Sequence, residues 1–396
     1  MNCADLSAKV KEVNQYIKDT RGYLHENPEL SSKEFNTSKF LQEEAKKCNL
    51  PIQLVRGTGF LAILDTGKPG KTLVLRADID ALPIKENELN LVQHKKWVSK
   101  NEGVCHACGH DGHMAMLLGE MKILCSMKDE LSGKIIFAFE EGEEAGLGIA
   151  AMKEALAPFH VDAVYGAHLV PFMKTGEMCL DAGPMMAGVA VVDMNVLGMG
   201  GHGSRPDLAI NPIFAAAQVL NNIATAWCNQ LDVSKTVTLG LTQIHGGVLN
   251  NVISDTCYIG GTLRFFDSEE GKKALEVIKK VADHTAQAHN CTVSFTDAMK
   301  FVSDPVINDK ALAEFAQQSI SELLPQTLKH GVTWYASESF AQYSSIAPSV
   351  FAFVGTGNEA LGSGAGNHND RFDLDDDSLQ YGVAAATKFA IDFLKK

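Results

Sequence analysis

The segment TLVLRADID at residues 72–80 is a run of aliphatic residues that ends in two aspartates. A second apolar run, KIIFAFEE, occupies residues 134–141, and a third, VDAVYGAH, occupies residues 161–168. Between the first two, apolar residues recur at helical spacing from about Gly112 onward. Short continuous apolar runs that alternate with helices predict buried strands in a mostly parallel sheet covered by helices. The expected fold class is therefore α/β.

The same pattern continues toward both ends of the chain. Residues 5–24 carry apolar side chains at helical spacing, and a second helix is expected after Asn36. Near the carboxyl end, VFAFVGTG at residues 350–357 predicts another buried strand, and residues 376–395 predict a last helix. These segments belong to the same predicted α/β domain.

The middle of the chain has a different order of elements. A strand, a helix, two strands, a helix and a strand are expected at residues 190–198, 211–228, 236–247, 255–266, 268–289 and 291–295. This βαββαβ order is the pattern of a ferredoxin-like unit. Asp304-Pro305 then marks a break. We therefore predict a catalytic domain in two pieces, residues 1–186 and 304–396, with an inserted domain at residues 187–303.

Composition excludes several classes of function. The 396-residue chain has a net charge of −13, which argues against a nucleic-acid-binding surface and a polybasic membrane anchor. It contains no stretch of about 18 apolar residues, so no membrane span is expected. The start MNCADLSAKVKEV does not resemble a signal peptide, and the nine scattered cysteines are typical of free thiols. A cytoplasmic protein is the expectation.

The loop HACGHDGH at residues 106–113 is the strongest candidate for a metal site. It places a thiol and three imidazoles close together, just before a predicted helix. Thiolate and imidazole are good ligands for a divalent transition metal, and the small residues would let the backbone turn tightly. Two alternatives stay open from these residues alone. The loop could be a polar helix cap, or Cys108 could be a nucleophile activated by a histidine.

A second candidate lies in FEEGEE at residues 139–144, at the end of a predicted strand. Its four carboxylates repel one another, and a cation would relieve that repulsion. Side chains alternate along an extended segment, so Glu143 and Glu144 should point in different directions. One could bind metal while the other faces a water molecule. A solvated acidic loop is the alternative.

Other polar residues also follow predicted strands but are uninformative alone. His168 ends one strand, where a lone histidine is more often structural than a ligand, and His368 lies in a polar loop. Asp78 and Asp80 could bind metal, or could orient a metal-bound imidazole through a hydrogen bond.

The insert has candidates of its own. In GGHGSRP at residues 200–206, glycines flank His202 and suggest a tight turn that presents the imidazole. Asn251 and Arg264 lie on or near strands of the insert. The planar guanidinium of Arg264 suits a carboxylate, although a surface salt bridge is the commoner role of an arginine.

Eight motifs together carry a family resemblance: RADIDALPI, CHACGHDGHMAML, FEEGEE, GAHLVP, GGHGSRPDLAINP, NNVISD, GTLRFF and NHND occur in this order. Over residues 20–390 the chain resembles the metallo-amidohydrolases that include bacterial N-acyl-amino-acid hydrolases, hippurate hydrolases and plant auxin-conjugate hydrolases. The resemblance implies that the insert is a dimerisation (lid) domain of a homodimer. It also implies two divalent metal ions per subunit, zinc or manganese.

The resemblance assigns roles residue by residue. It implies that Glu143 is the general base and that His202 reaches the active site of the partner subunit. It implies substrate-binding roles for Asn251 and Arg264, and we expect Asp80 to support a ligand. The implied metal ligands are Cys108, His110, Glu144, His168 and His368.

The sequence departs from the family pattern near the expected pocket. Ser339 stands in place of a usual Asp, Ser254 in place of a common Pro, and Asp207 in place of a frequent His. Glu140 and Glu141 replace a common Gln-Pro. These changes leave the implied ligands and base intact, but they put the identity of the substrate in doubt.

The expected reaction is metal-dependent hydrolysis of the amide bond of N-acyl amino acids or similar small conjugates. A dipeptidase on the same scaffold is the nearest alternative, with Glu140 and Glu141 as a subsite for the ammonium group. A non-catalytic metal-binding protein and a cysteine hydrolase are the alternatives from other classes.

Overall fold

A computed structural model describes residues 3–395. Eight α-helices lie within these residues: α1 Cys3–Glu26, α2 Phe35–Lys47, α3 His110–Ser126, α4 Ile149–Leu156, α5 Pro212–Gln230, α6 Ser268–Ala288, α7 Lys310–Leu323 and α8 Leu379–Lys395. None of the helices in this range combines the length and apolar character that crossing a lipid bilayer requires.

The strands of the described residues fall into two main sheets and two small ones. In chain order they are β1 Ile52–Leu54, β2 Phe60–Asp65, β3 Thr72–Asp78, β4 Lys134–Glu140, β5 Ala163–Lys174, β6 Met178–Cys179, β7 Gly183–Met186, β8 Gly188–Leu197, β9 Gly201–His202, β10 Val237–Gly246, β11 Val252–Ile253, β12 Thr256–Phe265, β13 Thr292–Phe295, β14 Phe301–Ser303, β15 Val306–Asn308 and β16 Ser349–Gly357.

The chain divides into two compact units. The first contains the described residues up to Met185, together with Ile307–Val332 and the residues from Gln342 onward. The second contains Met186–Val306 and Thr333–Ala341. The three-segment domain division read from the sequence stays a prediction.

The first unit is built on a seven-stranded sheet in the order β1-β2-β4-β3-β5-β16-β6. The four central strands are parallel, whereas β1, β2 and β6 pair antiparallel at the edges. The mixed α/β class and the mostly parallel central sheet are therefore confirmed. At one edge, β1 and β2 are short strands joined without a helix, and they pair antiparallel.

Strands β3, β4 and β16 are buried along nearly their whole length, which explains their continuous apolar sequences. Helices α1, α3 and α8 pack against one another and share one hydrophobic core with the sheet. Helix α3 has only buried residues through its first twelve positions. A strand or helix that is apolar on all sides is typical of a protein interior. The packing of these elements holds in place the strand ends that carry the polar motifs.

The second unit contains an antiparallel sheet in the order β10-β12-β8-β13, with β14 paired to β8. Helices α5 and α6 share its hydrophobic core. Asn211 begins α5 by accepting a hydrogen bond from the Ile213 amide, and Asp267 does the same for α6 from Glu270. The elements β8, α5, β10, β12, α6 and β13 follow the predicted βαββαβ order.

Candidate metal centre

The loop before α3 turns sharply at Gly109. Its φ of 90° lies in the left-handed region that glycine adopts without strain, and α3 begins at the next residue, His110. Asp111 anchors this helix end, because its buried carboxylate accepts hydrogen bonds from Arg21 Nε and His25 Nδ1, each at 2.8 Å. The turn and the anchor together hold Cys108 and His110 in one place.

Hydrogen bonds fix the orientation of two imidazoles. His110 Nδ1 lies 2.9 Å from the carbonyl oxygen of Asp80 and 3.1 Å from its carboxylate. His168 Nδ1 lies 2.9 Å from the Leu169 carbonyl oxygen. A ring nitrogen that donates to a carbonyl carries the proton, so Nε2 is the nitrogen of each ring that is left to bind a metal. Backing of this kind is the usual support for a metal-bound histidine.

The acidic turn follows β4. Gly142 and Gly146 have φ values of 59° and 64°, and they flank a short 3₁₀ turn that contains Glu143 and Glu144. The Gly142 amide donates to Glu34 Oε1 at 2.9 Å, and the Glu144 amide donates to Asp80 Oδ2 at 3.1 Å. Asp80 therefore contacts both the imidazole of His110 and the backbone of Glu144.

His368 reaches the same place from a distant loop. Its backbone has a φ of 64°, and its amide donates to the Ala107 carbonyl at 2.7 Å. Asn367 Nδ2 donates to the Cys108 carbonyl at 3.2 Å, which ties the two loops together. His368 Nε2 lies 3.3 Å from Glu144 Oε1.

These side chains converge in overlapping groups whose ligand atoms lie within 4.8 Å of one another: Cys108, His110 and His168; Cys108, Glu144 and His368; His110, Glu143 and Glu144. His110 Nε2 and Glu144 Oε1 are buried and have no hydrogen-bond partner among the described residues. Buried polar atoms left in this state are costly unless something else satisfies them. Soft sulfur, imidazole and carboxylate donors fit a divalent transition metal.

Burial also disfavours charge at two of these donors in the absence of a cation. Burial and the Glu144 carboxylate hold the pKa of the Cys108 thiol well above its ordinary value. Burial and the His113 imidazole hold the pKa of His168 well below its ordinary value. A neutral imidazole is ready to bind metal, whereas a protonated thiol is a poor nucleophile until a cation or base removes its proton.

His113, although part of the same motif, is already satisfied on both sides. Its Nδ1 lies 2.6 Å from Asp78 Oδ1, and its Nε2 accepts a hydrogen bond from the Leu169 amide at 2.9 Å. Arg76 in turn binds Asp78 and Glu140 at 2.9 and 2.8 Å. The sequence reasoning missed this buried support. The spacing of Arg76 and Asp78 in RADID was the available signal.

The extra acids of the FEEGEE run do not face a free subsite. Glu140 is fully buried and binds Arg76 and the Tyr343 hydroxyl, the latter at 2.9 Å. Glu141 is also buried and accepts a hydrogen bond from Thr58 Oγ1 at 2.8 Å. The suggested use of both carboxylates as an ammonium subsite is therefore wrong, because each already has a structural partner.

His202 and Asn251 are neighbours in the second unit. β9 pairs with β11, and the Gly203 amide donates to the Asn251 carbonyl at 2.8 Å. The imidazole of His202 is exposed, and its Nδ1 lies 2.8 Å from Ser204 Oγ.

Arg264 lies on β12, in the larger antiparallel sheet of this unit. It pairs with Val189 and Thr238 near the start of β8 and β10, whereas His202 and Asn251 follow the ends of those strands. From Thr256 to Arg264, β12 covers about 26 Å. Arg264 is half-buried, and its Nη1 donates to Ser337 Oγ at 3.2 Å. Within one chain, His202 and Arg264 are therefore far apart.

Comparison with known proteins gives consistent results. The profile of the family described as Peptidase family M20/M25/M40 matches residues 74–392. Thermostable carboxypeptidase 2 of Saccharolobus solfataricus is 35% identical, over 99% of this chain and 98% of its own length. The N-acyl-L-amino acid amidohydrolase of Geobacillus stearothermophilus is 34% identical, over 78% of this chain and 82% of its own length.

A solved structure from Bacillus subtilis, described as a dinuclear metal binding peptidase from the M20 family, superposes with a TM-score of 0.83. It is 28% identical, and the match covers 97% of this chain and 99% of that one. The match of profile, relatives and structure extends over the strands and loops that carry the converging donors. The chain therefore belongs to peptidase family M20/M25/M40.

Proposed function

We propose that this protein hydrolyses the amide bond of N-acyl amino acids or similar small conjugates, with two divalent metal ions in each subunit. The observation that carries the proposal is the convergence of sulfur, imidazole and carboxylate donors beside Glu143. The G. stearothermophilus relative is named for this reaction, and the B. subtilis structure is described as dinuclear.

The proposed ligands are Cys108, His110, Glu144, His168 and His368. Bound divalent ions would lower the pKa of a water molecule and polarise the substrate carbonyl. The thiol of Cys108 favours zinc by softness, and manganese is the other candidate. Asp80 would keep the His110 ring oriented, because it accepts the hydrogen bond from Nδ1.

Glu143 is the proposed general base. It lies on the same turn as Glu144 and within 4.8 Å of the donor atoms of His110 and Glu144. Its carboxylate would accept a proton from the attacking water and later return that proton to the leaving amine. A general base must lie beside the metal ligands. It must also hold its position without binding the metal itself.

We also propose that the active site is completed across a homodimer. His202 would donate a hydrogen bond to the developing oxyanion, and Asn251 and Arg264 would hold the substrate carboxylate. Asn251 and Arg264 are separated by most of the length of β12, so one carboxylate cannot contact both from a single chain. Two chains related by a twofold axis could supply Arg264 from one and the His202–Asn251 pair from the other.

The second unit offers a surface for such pairing. Among the described residues, β10 pairs with β12 alone and leaves its other edge open. Exposed apolar side chains surround this edge and the start of α5: Leu208, Ile213, Phe214, Ile244, Val248, Leu249 and Val252. An open strand edge with exposed apolar residues is a ready site for association. Arg264 and His202 are far apart within one chain. We therefore propose that a second copy of the chain binds to this surface.

The nine cysteines, all unpaired in the described residues, support a reducing compartment such as the cytoplasm. A peptidase activity is the second candidate, because the S. solfataricus relative is named a carboxypeptidase. Glu140 and Glu141 already have structural partners and do not form an ammonium subsite, which weighs against a dipeptidase. The intact donor set around Glu143 weighs against a non-catalytic protein.

A matched substrate pair tests the proposal. The metal-loaded protein should hydrolyse an N-acetyl amino acid with a higher kcat/KM than the glycyl dipeptide of the same amino acid. The two substrates differ mainly in the ammonium group, for which no carboxylate subsite is proposed. A higher kcat/KM for the dipeptide would indicate that the protein is a dipeptidase and not an amidohydrolase. Absence of hydrolysis of either class in protein of verified metal content would favour a non-catalytic role.

A further inference from the structure

Two cysteines lie at the carboxyl ends of neighbouring helices. Cys48 directly follows α2, and Cys125 lies in the last turn of α3. Helices α2 and α3 contact each other, and both thiols pack against the same hydrophobic core while remaining partly accessible to solvent. Neither residue belongs to the proposed metal centre.

Their neighbours one helical turn earlier are also in contact. Lys122 Nζ lies 3.8 Å from Glu44 Oε2 and 4.1 Å from the centre of the Tyr16 ring. Glu44 precedes Cys48 by four residues and Lys122 precedes Cys125 by three, so each pair shares a helix face. The contact between Glu44 and Lys122 therefore places the two cysteines, one turn later on each helix, on the faces by which α2 and α3 meet.

The two thiols have different chemical characters. A side-chain hydrogen bond from Cys125, aided by the positive charge of Lys122, outweighs burial and lowers the pKa of Cys48 to about 7. The same interaction raises the pKa of Cys125. Cys48 is thus a thiolate in much of the protein near neutral pH, and Cys125 is a neutral thiol beside it. Such an arrangement is typical of a reactive cysteine next to a resolving cysteine.

We propose that Cys48 and Cys125 form a redox modification site, at which a peroxide converts the thiol pair into a disulfide that links α2 to α3. The thiolate sulfur of Cys48 attacks one peroxide oxygen, the O–O bond breaks, and Cys48 becomes a sulfenic acid. The sulfur of Cys125 then attacks the Cys48 sulfur, and the oxygen leaves as water. Two thiols lose two electrons and two protons, and hydrogen peroxide becomes two water molecules. A small dithiol reverses the reaction by exchange.

The site is separate from hydrolysis. About 22 Å of helix lies between His110, at the first position of α3, and Cys125. The disulfide would join the far end of that helix to α2. The proposal does not depend on the reaction that the metal centre performs. It is tested only by the reactivity of the two thiols.

The experiment treats the metal-loaded protein with about one equivalent of hydrogen peroxide per chain, then alkylates the remaining thiols. Peptide mapping by mass spectrometry without reductant should show a Cys48–Cys125 cross-link as the main product, which dithiothreitol removes. Cys228, exposed on α5, is the internal control and should stay alkylated. A map in which Cys48 and Cys125 remain unlinked while the peroxide is consumed would overturn the proposal.

Two variants of Cys125 test whether the two thiols interact. Cys125→Ser keeps a hydroxyl that can donate to Cys48, so Cys48 should stay reactive but form no intramolecular cross-link. Cys125→Ala removes the donor, and alkylation of Cys48 at neutral pH should slow by roughly five- to tenfold, since the lost thiolate fraction outweighs the gain in nucleophilicity. An unchanged rate at Cys48 in Cys125→Ala, with Cys228 unchanged as well, would mean that the two thiols do not interact.

Discussion

Glu143 and Glu144 are adjacent in sequence but differ in their surroundings. Glu144 lies against two imidazoles, with its Oε1 at 3.7 Å from His110 Nε2 and 3.3 Å from His368 Nε2. Its backbone amide is held by Asp80. Glu143 joins the group of His110 and Glu144 but not the group that contains His368. The two carboxylates should therefore respond differently to the same substitution.

We predict that Glu143→Gln retains metal and loses hydrolysis, because glutamine keeps the shape of the side chain but cannot accept a proton. The expected loss in kcat is at least the 10²–10⁴-fold that general acid–base catalysis supplies. Glu144→Gln should instead lower metal occupancy. Elemental analysis alongside steady-state kinetics checks both variants. If Glu143→Gln lost the metal and Glu144→Gln kept it, Glu143 would be the ligand and Glu144 the base.

At this scale the sequence indicated the donor residues and suggested Asp80 as a support, but it did not indicate the wider set of buried partners. The motifs offered closely spaced sulfur, imidazole and carboxylate groups, and the family resemblance implied Cys108, His110 and Glu144 as ligands among them. They could not separate His113 from His110, since the difference lies in the Leu169 amide, which donates to His113 Nε2 from another strand. They also left open the partners of Glu140 and Glu141, which come from Arg76, Tyr343 and Thr58.

Helix α3 carries His110 at its first position, and a buried charged network holds that end. Asp111 binds Arg21 and His25, and His25 Nε2 lies 2.8 Å from Glu86 Oε1. Lys95 also binds Glu86, at 2.8 Å. Burial opposes ionisation of Glu86, yet the hydrogen bond from His25 and the ammonium of Lys95 lower its pKa to about 2.

This network predicts a pH-dependent contribution to stability. A carboxylate whose pKa is lowered by folding stabilises the protein above its ordinary pKa, and the effect disappears as the pH falls toward the lowered value. Between about pH 5 and about pH 3, the unfolding free energy of the wild type should fall by about 2 kcal/mol more than that of Glu86→Gln. Urea unfolding with chelator present in both proteins measures this. Parallel pH profiles would contradict the role of Glu86.

The sequence predicted most elements because their apolar patterns are strong. The strands at β3, β4 and β16 and the helices α3 and α6 begin and end within a few residues of the predicted positions. β5 continues six residues beyond His168, to Lys174, because its pairing with β16 extends past the histidine. The return of Thr333–Ala341 to the second unit had no signal in local sequence, since it depends on contacts between segments distant in the chain.

On the scale of the whole molecule, Arg264 lies near the start of β8, whereas the His202–Asn251 pair follows the far end of that strand, which is the reason for proposing a homodimer. Mixing His202→Ala with Glu143→Gln under conditions of subunit exchange tests it. If His202 acts in the partner's site, half of the dimers carry one site with both groups intact, and activity should recover to roughly a quarter of wild type. No recovery despite proven exchange would place His202 in its own subunit's site.

A surface variant provides an independent test of the dimer. Phe214 lies on α5 with 69% of its surface exposed, so Phe214→Glu should leave the fold of one chain intact. Placing a charge in an apolar contact should shift the protein toward monomer in sedimentation velocity and lower activity along with it. An unchanged sedimentation coefficient, equal to that of a wild-type dimer, would move the interface to another surface.

Hydrolysis by this protein should depend on the bound metal, and removal of the metal is the strictest test of the proposed function. Protein stripped by a strong chelator and verified by elemental analysis should lose hydrolysis of N-acetyl amino acids. Titration with zinc or manganese should restore activity and saturate at about two equivalents per chain, as two shared ions require. Full activity in verified metal-free protein would contradict the central claim.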